Sequence, residues 1–258
     1  MRRPSAPPSP SRGSTMTALA SPVDIDAFGE YERPADAPGR EPFTGRLGTA
    51  EFPIEPGRYH LYAGWFCPWA HRVTLSRALN GLEEYISLSW IDNERDARGW
   101  AFREGTGEDP VNGFEFLREA YRLARPGYDG HVSVPLLWDK VANTAVSNDP
   151  ASLALSFPAD FDAVIDPETS TAPPALREKI AEVERFLRLE PNGPTEWDGL
   201  LGGREYVLGE RLTEADLYLW VKLVRYPLDD EAWPALAEYR DRLMALPAFA
   251  ATTDRSTY

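Results

Sequence analysis

The stretch from residue 58 to residue 91 constrains the fold more than any other part of the chain. Residues 59–65 (YHLYAGW) alternate and are rich in aromatic side chains, as strands are. Cys67-Pro68 follows at once. Proline suits the first turn of a helix, where an N–H would have no intrahelical acceptor. Leu75, Ala78, Leu79 and Leu82 then recur at helical spacing, and Asn80-Gly81 closes that helix. Residues 86–91 read as a second strand. Strand, helix and strand within about 35 residues have the length of a βαβ crossover.

The rest of the chain is read against that start. Residues 92–112 are polar and contain glycine, a long loop of the kind that often carries function. Residues 114–124 predict a helix with Phe114, Leu117, Tyr121 and Ala124 on one face. Residues 133–138 (SVPLLW) predict a strand interrupted by Pro135, which marks an edge, a bulge or a cis bond. Residues 144–147 predict a further short strand, and residues 149–155 a short helix. A proline-bearing stretch follows, and beyond it the period is helical. Leu176, Ile180, Val183 and Leu187 share one face, and Pro191-Asn192-Gly193-Pro194 stops that helix. Thr213 and Asp216 form a capping box, with Leu212 and Leu217 placed as a hydrophobic staple. The run LYLWVKLV continues that helix, Pro227 ends it, and a last helix is expected over residues 231–246. The expected division is a loose N-terminal arm (1–50), an α/β domain (51–157), a linker (158–172) and an all-helical domain (173–258).

Composition narrows the function classes. The chain has 258 residues and a net charge of −14, which disfavours nucleic acid and anionic lipid as partners. No apolar run of membrane-spanning length occurs, so no membrane partner is expected. The first fifteen residues, rich in Pro, Ser and Arg, lack the apolar core of a secretory signal. Met1 and Met16 are both compatible with this reading as the start. One cysteine precludes an intramolecular disulfide and fits a reducing, cytoplasmic compartment. His60, His71 and His131 are scattered, without the spacing of a zinc site, so no metal is expected.

The residue with the strongest chemical context is Cys67. A lone cysteine is usually a small buried hydrophobe. This one follows a strand directly and precedes a helix opened by Pro68, where unpaired N–H groups and the helix dipole favour a thiolate and lower its pKa. Arg72 lies one turn along. The fourth position of the motif is Ala70, so any mixed disulfide at Cys67 must be resolved by a separate thiol. A cis bond at Val134-Pro135 would present the Val134 backbone to an extended, peptide-like ligand. His71 lies on the helix and is not expected to serve as a base. Trp65, Trp69 and Trp100 serve either as core or as stacking surfaces for an aromatic ligand.

The stretches RYHLYAGWFCPWAHRVTLSRALNGLEEYISLSW, DPVNGFEFLREAY and VSVPLLWDK, in this order, resemble the glutathionyl-hydroquinone reductases, the Xi class of glutathione transferases. YVLGERLTEADLYLW extends the resemblance to about residue 226. The resemblance implies a thioredoxin-like α/β domain followed by an all-α domain, and typically a homodimer. It implies that Cys67 attacks the sulfur of a glutathionyl-hydroquinone, releases the hydroquinone, and is regenerated by a second glutathione. Trp100, Val134, Pro135 and Asp149 would form the thiol site, with a small-molecule thiol and a quinone-type aromatic as partners.

Three departures accompany it. The family carries Asn-Glu-Ser after the VP-x-LWDK strand to grip the γ-glutamyl end of glutathione, where this chain has Asn148-Asp149-Pro150. A long helix before the capping box has no room between Pro194 and Arg204. The family's Tyr-His segment is absent after Arg225-Tyr226-Pro227, leaving Tyr226 as its partial replacement in a hydrophobic-substrate pocket. The thiol is therefore glutathione or another low-molecular-weight thiol. Abundant Arg, Ala, Pro and Gly fit a GC-rich bacterial genome, and some such bacteria use mycothiol. The alternative is a non-catalytic, small-molecule- or protein-binding descendant of the fold.

Overall fold

The computed structural model describes residues 19–149, 153 and 157–257. Four strands, β1 (Tyr59–Ala63), β2 (Ile86–Trp90), β3 (Leu136–Asp139) and β4 (Thr144–Ser147), form one sheet in the order β2-β1-β3-β4. β1 and β2 are parallel, with Tyr59 opposite Ile86 and Ala63 opposite Trp90. A parallel pair needs a crossover, and the helix between the two strands supplies it. β3 runs antiparallel to β1, and β4 antiparallel to β3.

Among the described residues the helices include α1 (Ile25–Phe28), α2 (Pro68–Leu79), α3 (Leu117–Ala124), α4 (Arg177–Leu189), α5 (Pro194–Leu201), α6 (Glu214–Leu223), α7 (Pro234–Met244) and α8 (Pro247–Thr252), and residues 157–160 are helical as well. The α/β start and helical remainder expected from the sequence are both present. α2 opens on Pro68 and closes at Asn80, with Gly81 at φ 64°, in the left-handed region that favours glycine.

Every residue of β1 is buried, because both faces of this central strand are covered. Tyr59 and Leu61 point into one apolar layer with Val73 and Leu75 of α2, Leu217 and Trp220 of α6 and Ile180 of α4. Tyr62 points into the other, with Leu136, Trp138, Leu117 and Tyr121. This is the period of two expected of a strand. Burying each such large side chain contributes roughly 1.5–3 kcal/mol.

Several boundaries differ from the expectations. Residues 114–116 are not helical, and Phe116 is extended. Ala101 bridges Phe116, and the Leu117 amide donates to the Trp100 carbonyl at 2.9 Å. Long-range pairing therefore overrides the helical period there. β3 begins only after Pro135, because a residue without an N–H cannot join the ladder. Residues 194–201, where only a break was expected, form the short helix α5 with Pro194 in its first turn. The short helix expected at residues 149–155 falls largely outside the described residues, although the Leu153 amide donates to the Asp149 carbonyl at 3.0 Å.

The arm and linker are also more engaged than their composition suggested. From residue 19 the arm lies along the loop over residues 92–103. The Ala20 amide reaches the Phe102 carbonyl at 2.9 Å, and the Arg98 guanidinium reaches Ser21 Oγ at 2.6 Å. At the linker's end Thr171 is buried. Its hydroxyl donates to Glu214 Oε1 at 2.6 Å, and its amide donates to Asn80 Oδ1 at 3.0 Å. Ser76 of α2 donates to the same Glu214 oxygen at 2.6 Å. Thr171 is thereby stitched between α2 and α6, and the first turn of α6 is held against the back of α2.

The capping box of α6 is formed. Asp216 accepts from the Thr213 amide at 2.8 Å, from the Val207 amide at 2.8 Å and from the Tyr239 hydroxyl at 2.8 Å. No helix among the described residues is long and apolar enough to cross a membrane.

Candidate active site

Cys67 is the N-cap of α2. The turn that delivers it is closed by its own amide on the Gly64 carbonyl at 3.1 Å. Its Sγ accepts from the Ala70 amide at 3.5 Å, one of the helix-terminal donors that no intrahelical acceptor satisfies. On the other side the thiol donates to the Val134 carbonyl at 3.3 Å, and the Val134-Pro135 bond is cis. The sequence pairing of a helix-terminal cysteine with Val134-Pro135 is thus a physical contact.

The electrostatic balance differs from the sequence expectation of a lowered pKa. Burial leaves Cys67 8% exposed and pushes its thiol above the ordinary value. The Ala70 and Trp69 amides, then the cations of Arg225 and Arg72, pull the other way without overcoming it. The helix terminus acts as anticipated. How deeply the sulfur is covered depends on residues far away in sequence, which the local pattern does not encode.

Trp100 belongs to the same buried cluster as Cys67 and Val134, and its ring stacks on Phe66 at 4.3 Å and 22°. Its loop is held by Asp109, which accepts from the Tyr62 hydroxyl and from the amides of Val111, Asn112 and Phe114 at 3.1 Å each. The Arg95 guanidinium lies 4.2 Å from the Trp100 ring and 3.8 Å from that of Tyr31. Trp65 instead stacks on Trp90 at 3.8 Å.

Arg225, just beyond α6, reaches back to the loop that carries the thiol. It donates to the Trp65 carbonyl at 3.3 Å and to His71 Nδ1 at 3.0 Å. A guanidinium only donates, so His71 Nδ1 is the acceptor and Nε2 carries the proton, donated to Thr253 Oγ1 at 3.1 Å. Burial, with Arg225 beside it, lowers the His71 pKa to about 3. The ring is therefore neutral and faces Arg225 and Thr253. His60 is a buried strand residue between the Ser87 and Ser89 hydroxyls, each at 2.8 Å. Among the described residues no cluster of three His, Cys, Asp or Glu side chains could hold a metal ion.

Two cavities of about 190 Å³ flank this centre. The first is largely apolar and lies between the first turns of α2 and the helices α4 and α6, lined by Pro68, Trp69, Arg72, Leu187, Tyr218 and Val221. The Arg72 guanidinium sits 3.9 Å from the Tyr218 ring and 5.4 Å from that of Trp69. Tyr226 is not on this lining. It is 44% exposed and packs edge-on against Trp197 at 5.2 Å. The second cavity is polar and opens beside Ser133, Asn148 and Asp149.

Cys67, Val134, Pro135 and Trp100 are therefore brought together, with Asp149 on the neighbouring cavity and Tyr226 apart. Pro150 lies outside the described residues. Sequence reasoning missed Arg225 as a partner of the thiol loop, and it missed the arm residue Tyr31 beside Arg95. Neither stretch carries a periodic or motif signal that points to the site.

No protein-family model matches the chain. It is 37% identical over 203 residues to the glutathionyl-hydroquinone reductase PcpF of Sphingobium chlorophenolicum, covering 69% of this chain and 65% of that protein. Over 209 residues it is 36% identical to the glutathionyl-hydroquinone reductase YqjG of Escherichia coli, covering 70% and 64%. The chain thus spans just under two thirds of these curated relatives. The glutathione-bound structure of YqjG superposes with a TM-score of 0.72 at 30% identity, covering 83% of this chain and 85% of that one. With the Cys67–Val134 geometry on a four-stranded sheet followed by helices, these similarities show that the chain belongs to the Xi class of glutathione transferases, the family of the glutathionyl-hydroquinone reductases.

Proposed function

We propose that the protein is a glutathione-dependent reductase that removes a thiol from a quinone-type aromatic conjugate through Cys67. The observation that carries this is the position of the only cysteine, with the Ala70 amide at 3.5 Å and the Val134 carbonyl at 3.3 Å from its sulfur. A helix-terminal N–H stabilises the thiolate needed for attack, and the Val134 backbone lies where a peptide-like thiol ligand runs past it. In this reading residues 51–157 form the thiol-binding domain and residues 173–258 the helical one. Trp100, Val134, Pro135 and Asp149 line the thiol site, and the cleft beside Trp69 and Tyr218 takes the aromatic ring.

The chemistry runs in two displacements. The Cys67 thiolate attacks the sulfur of the glutathionyl-hydroquinone. A sulfur–sulfur bond forms, the sulfur–carbon bond breaks, and the aromatic carbon keeps the electron pair and takes up a proton. A second glutathione, as thiolate, then attacks the glutathione sulfur of the mixed disulfide. Glutathione disulfide leaves and the Cys67 thiolate returns. The two electrons that reduce the aromatic carbon come from the pair of glutathione sulfurs, which end as a disulfide.

One observation favours the alternative of a binding protein on the same fold: burial raises the Cys67 pKa. Intact-mass spectrometry after exposure to glutathione disulfide or mycothiol disulfide, with Cys67→Ala as control, separates the two. A glutathione adduct on the wild type alone is expected. An adduct with mycothiol only reassigns the thiol, and no adduct on a folded protein rejects the enzyme in favour of the binder.

A further inference from the structure

The polar cavity beside Asp149 has a wall that no family motif describes. Ser133, Asn148 and Asp149 line one side, one residue from the Val134 carbonyl that contacts the thiol. Facing them are Arg33 and Asp36 of the N-terminal arm and the ring of His131. Arg40, also on the rim, is already matched by Asp129 through contacts of 2.8 and 2.6 Å. Arg33 forms no ion pair among the described residues.

The His131 ring is anchored on one side. Its Nδ1 lies 2.9 Å from the Tyr31 hydroxyl, and its Nε2 has no hydrogen-bond partner among the described residues. Burial, aided by Arg33 and Arg95, lowers the His131 pKa. The cavity thus combines a cation and an imidazole with the carboxylates of Asp36 and Asp149. That pattern matches the zwitterionic head of an α-amino acid, with the carboxylate toward Arg33 and His131 and the ammonium toward the aspartates.

We infer that Arg33, carried by the N-terminal arm, together with His131 receives the α-carboxylate at the γ-glutamyl end of the thiol co-substrate, in place of the serine that the family has where this chain has Pro150. The inference rests on the thiol-dependent reading above and deepens it. It selects γ-glutamyl thiols over thiols without an amino-acid head, mycothiol included. It also gives the arm a role that its composition did not suggest.

The test separates this inference from the chemistry of Cys67 by using a ligand whose sulfur is blocked. Calorimetry measures binding of S-methylglutathione, and of its analogue with 4-aminobutyryl in place of γ-glutamyl, which lacks only the α-carboxylate. Wild type, Arg33→Gln and Arg33→Lys are compared, with thermal unfolding confirming the fold. Arg33→Gln is expected to weaken S-methylglutathione about tenfold, the scale of one charge-assisted hydrogen bond. It should leave the decarboxylated analogue unchanged, and Arg33→Lys should restore part of the loss. Equal weakening of both ligands, no weakening of either, or no binding of S-methylglutathione to the wild type overturns the inference. Each of these outcomes can occur whether or not Cys67 forms a mixed disulfide, so failure here is distinct from failure of the enzymatic reading.

Discussion

Arg225 links the helical part of the chain to the reactive loop, and removing it tests whether that link positions the thiol. Its guanidinium donates to the Trp65 carbonyl at 3.3 Å and to His71 Nδ1 at 3.0 Å, and its charge is one of two cations that favour the Cys67 thiolate. The same guanidinium also donates to the Val221 carbonyl at 3.1 Å. Arg225→Met keeps most of the stem and removes all three contacts and the charge. A buried acceptor left without a donor costs about 1–3 kcal/mol. The Trp65 and Val221 carbonyls belong at the lower end and the buried His71 nearer the middle. Their sum is about 4 kcal/mol, or a fall in Tm of roughly 8–16 °C for a protein of this size. The thiol pKa should rise as well, because a cation is lost while the burial remains. Iodoacetamide alkylation followed by mass across pH 6–10 reads this directly, and the Arg225→Met profile should lie at higher pH than the wild type. Arg225→Lys, which retains the charge, should restore most of the alkylation profile and less of the stability. An Arg225→Met profile superimposable on the wild type would refute the positioning argument even if the Tm falls, since destabilisation alone follows from any lost packing.

Two further predictions concern the first turn of α6. Burial raises the Glu214 pKa from 4.5 to about 7, so folding takes up a proton there. Its contribution is most favourable below about pH 4.5 and is lost as pH rises through about 7, where the ionised form costs about 3 kcal/mol. Glu214→Gln still accepts from Ser76 and Thr171. In urea unfolding it should be more stable than wild type at pH 8 and nearly equal at pH 4.5; a stability difference independent of pH would show that Glu214 is not protonated by folding. Asp216→Ala should cost about 3–5 kcal/mol, because the amides of Val207 and Thr213 and the hydroxyl of Tyr239 lose one buried acceptor together. A loss below about 1 kcal/mol would mean that water or a neighbouring group replaces the carboxylate.

What the sequence determined by itself is what neighbours along the chain decide. Pro68 and the spacing of Leu75 and Leu79 define α2, and Thr213 with Asp216 define the start of α6, because capping and amphipathic packing act over three or four residues. The strand–helix–strand order from residue 59 to residue 90 follows from the same local rules, and it already placed Cys67 at a helix N-terminus. Tertiary structure alone decided the rest. Residues 114–116 stay outside the helix because Ala101 pairs with Phe116. The end of the proline-bearing linker became buried because Thr171 completes the polar set of Asn80, Ser76 and Glu214. The state of the thiol depends on Val134 and Arg225, which approach it only in the folded chain. Burial and charge are summed over space rather than along the sequence, so the place of Cys67 at a helix N-terminus was legible from its neighbours and its energetics were not.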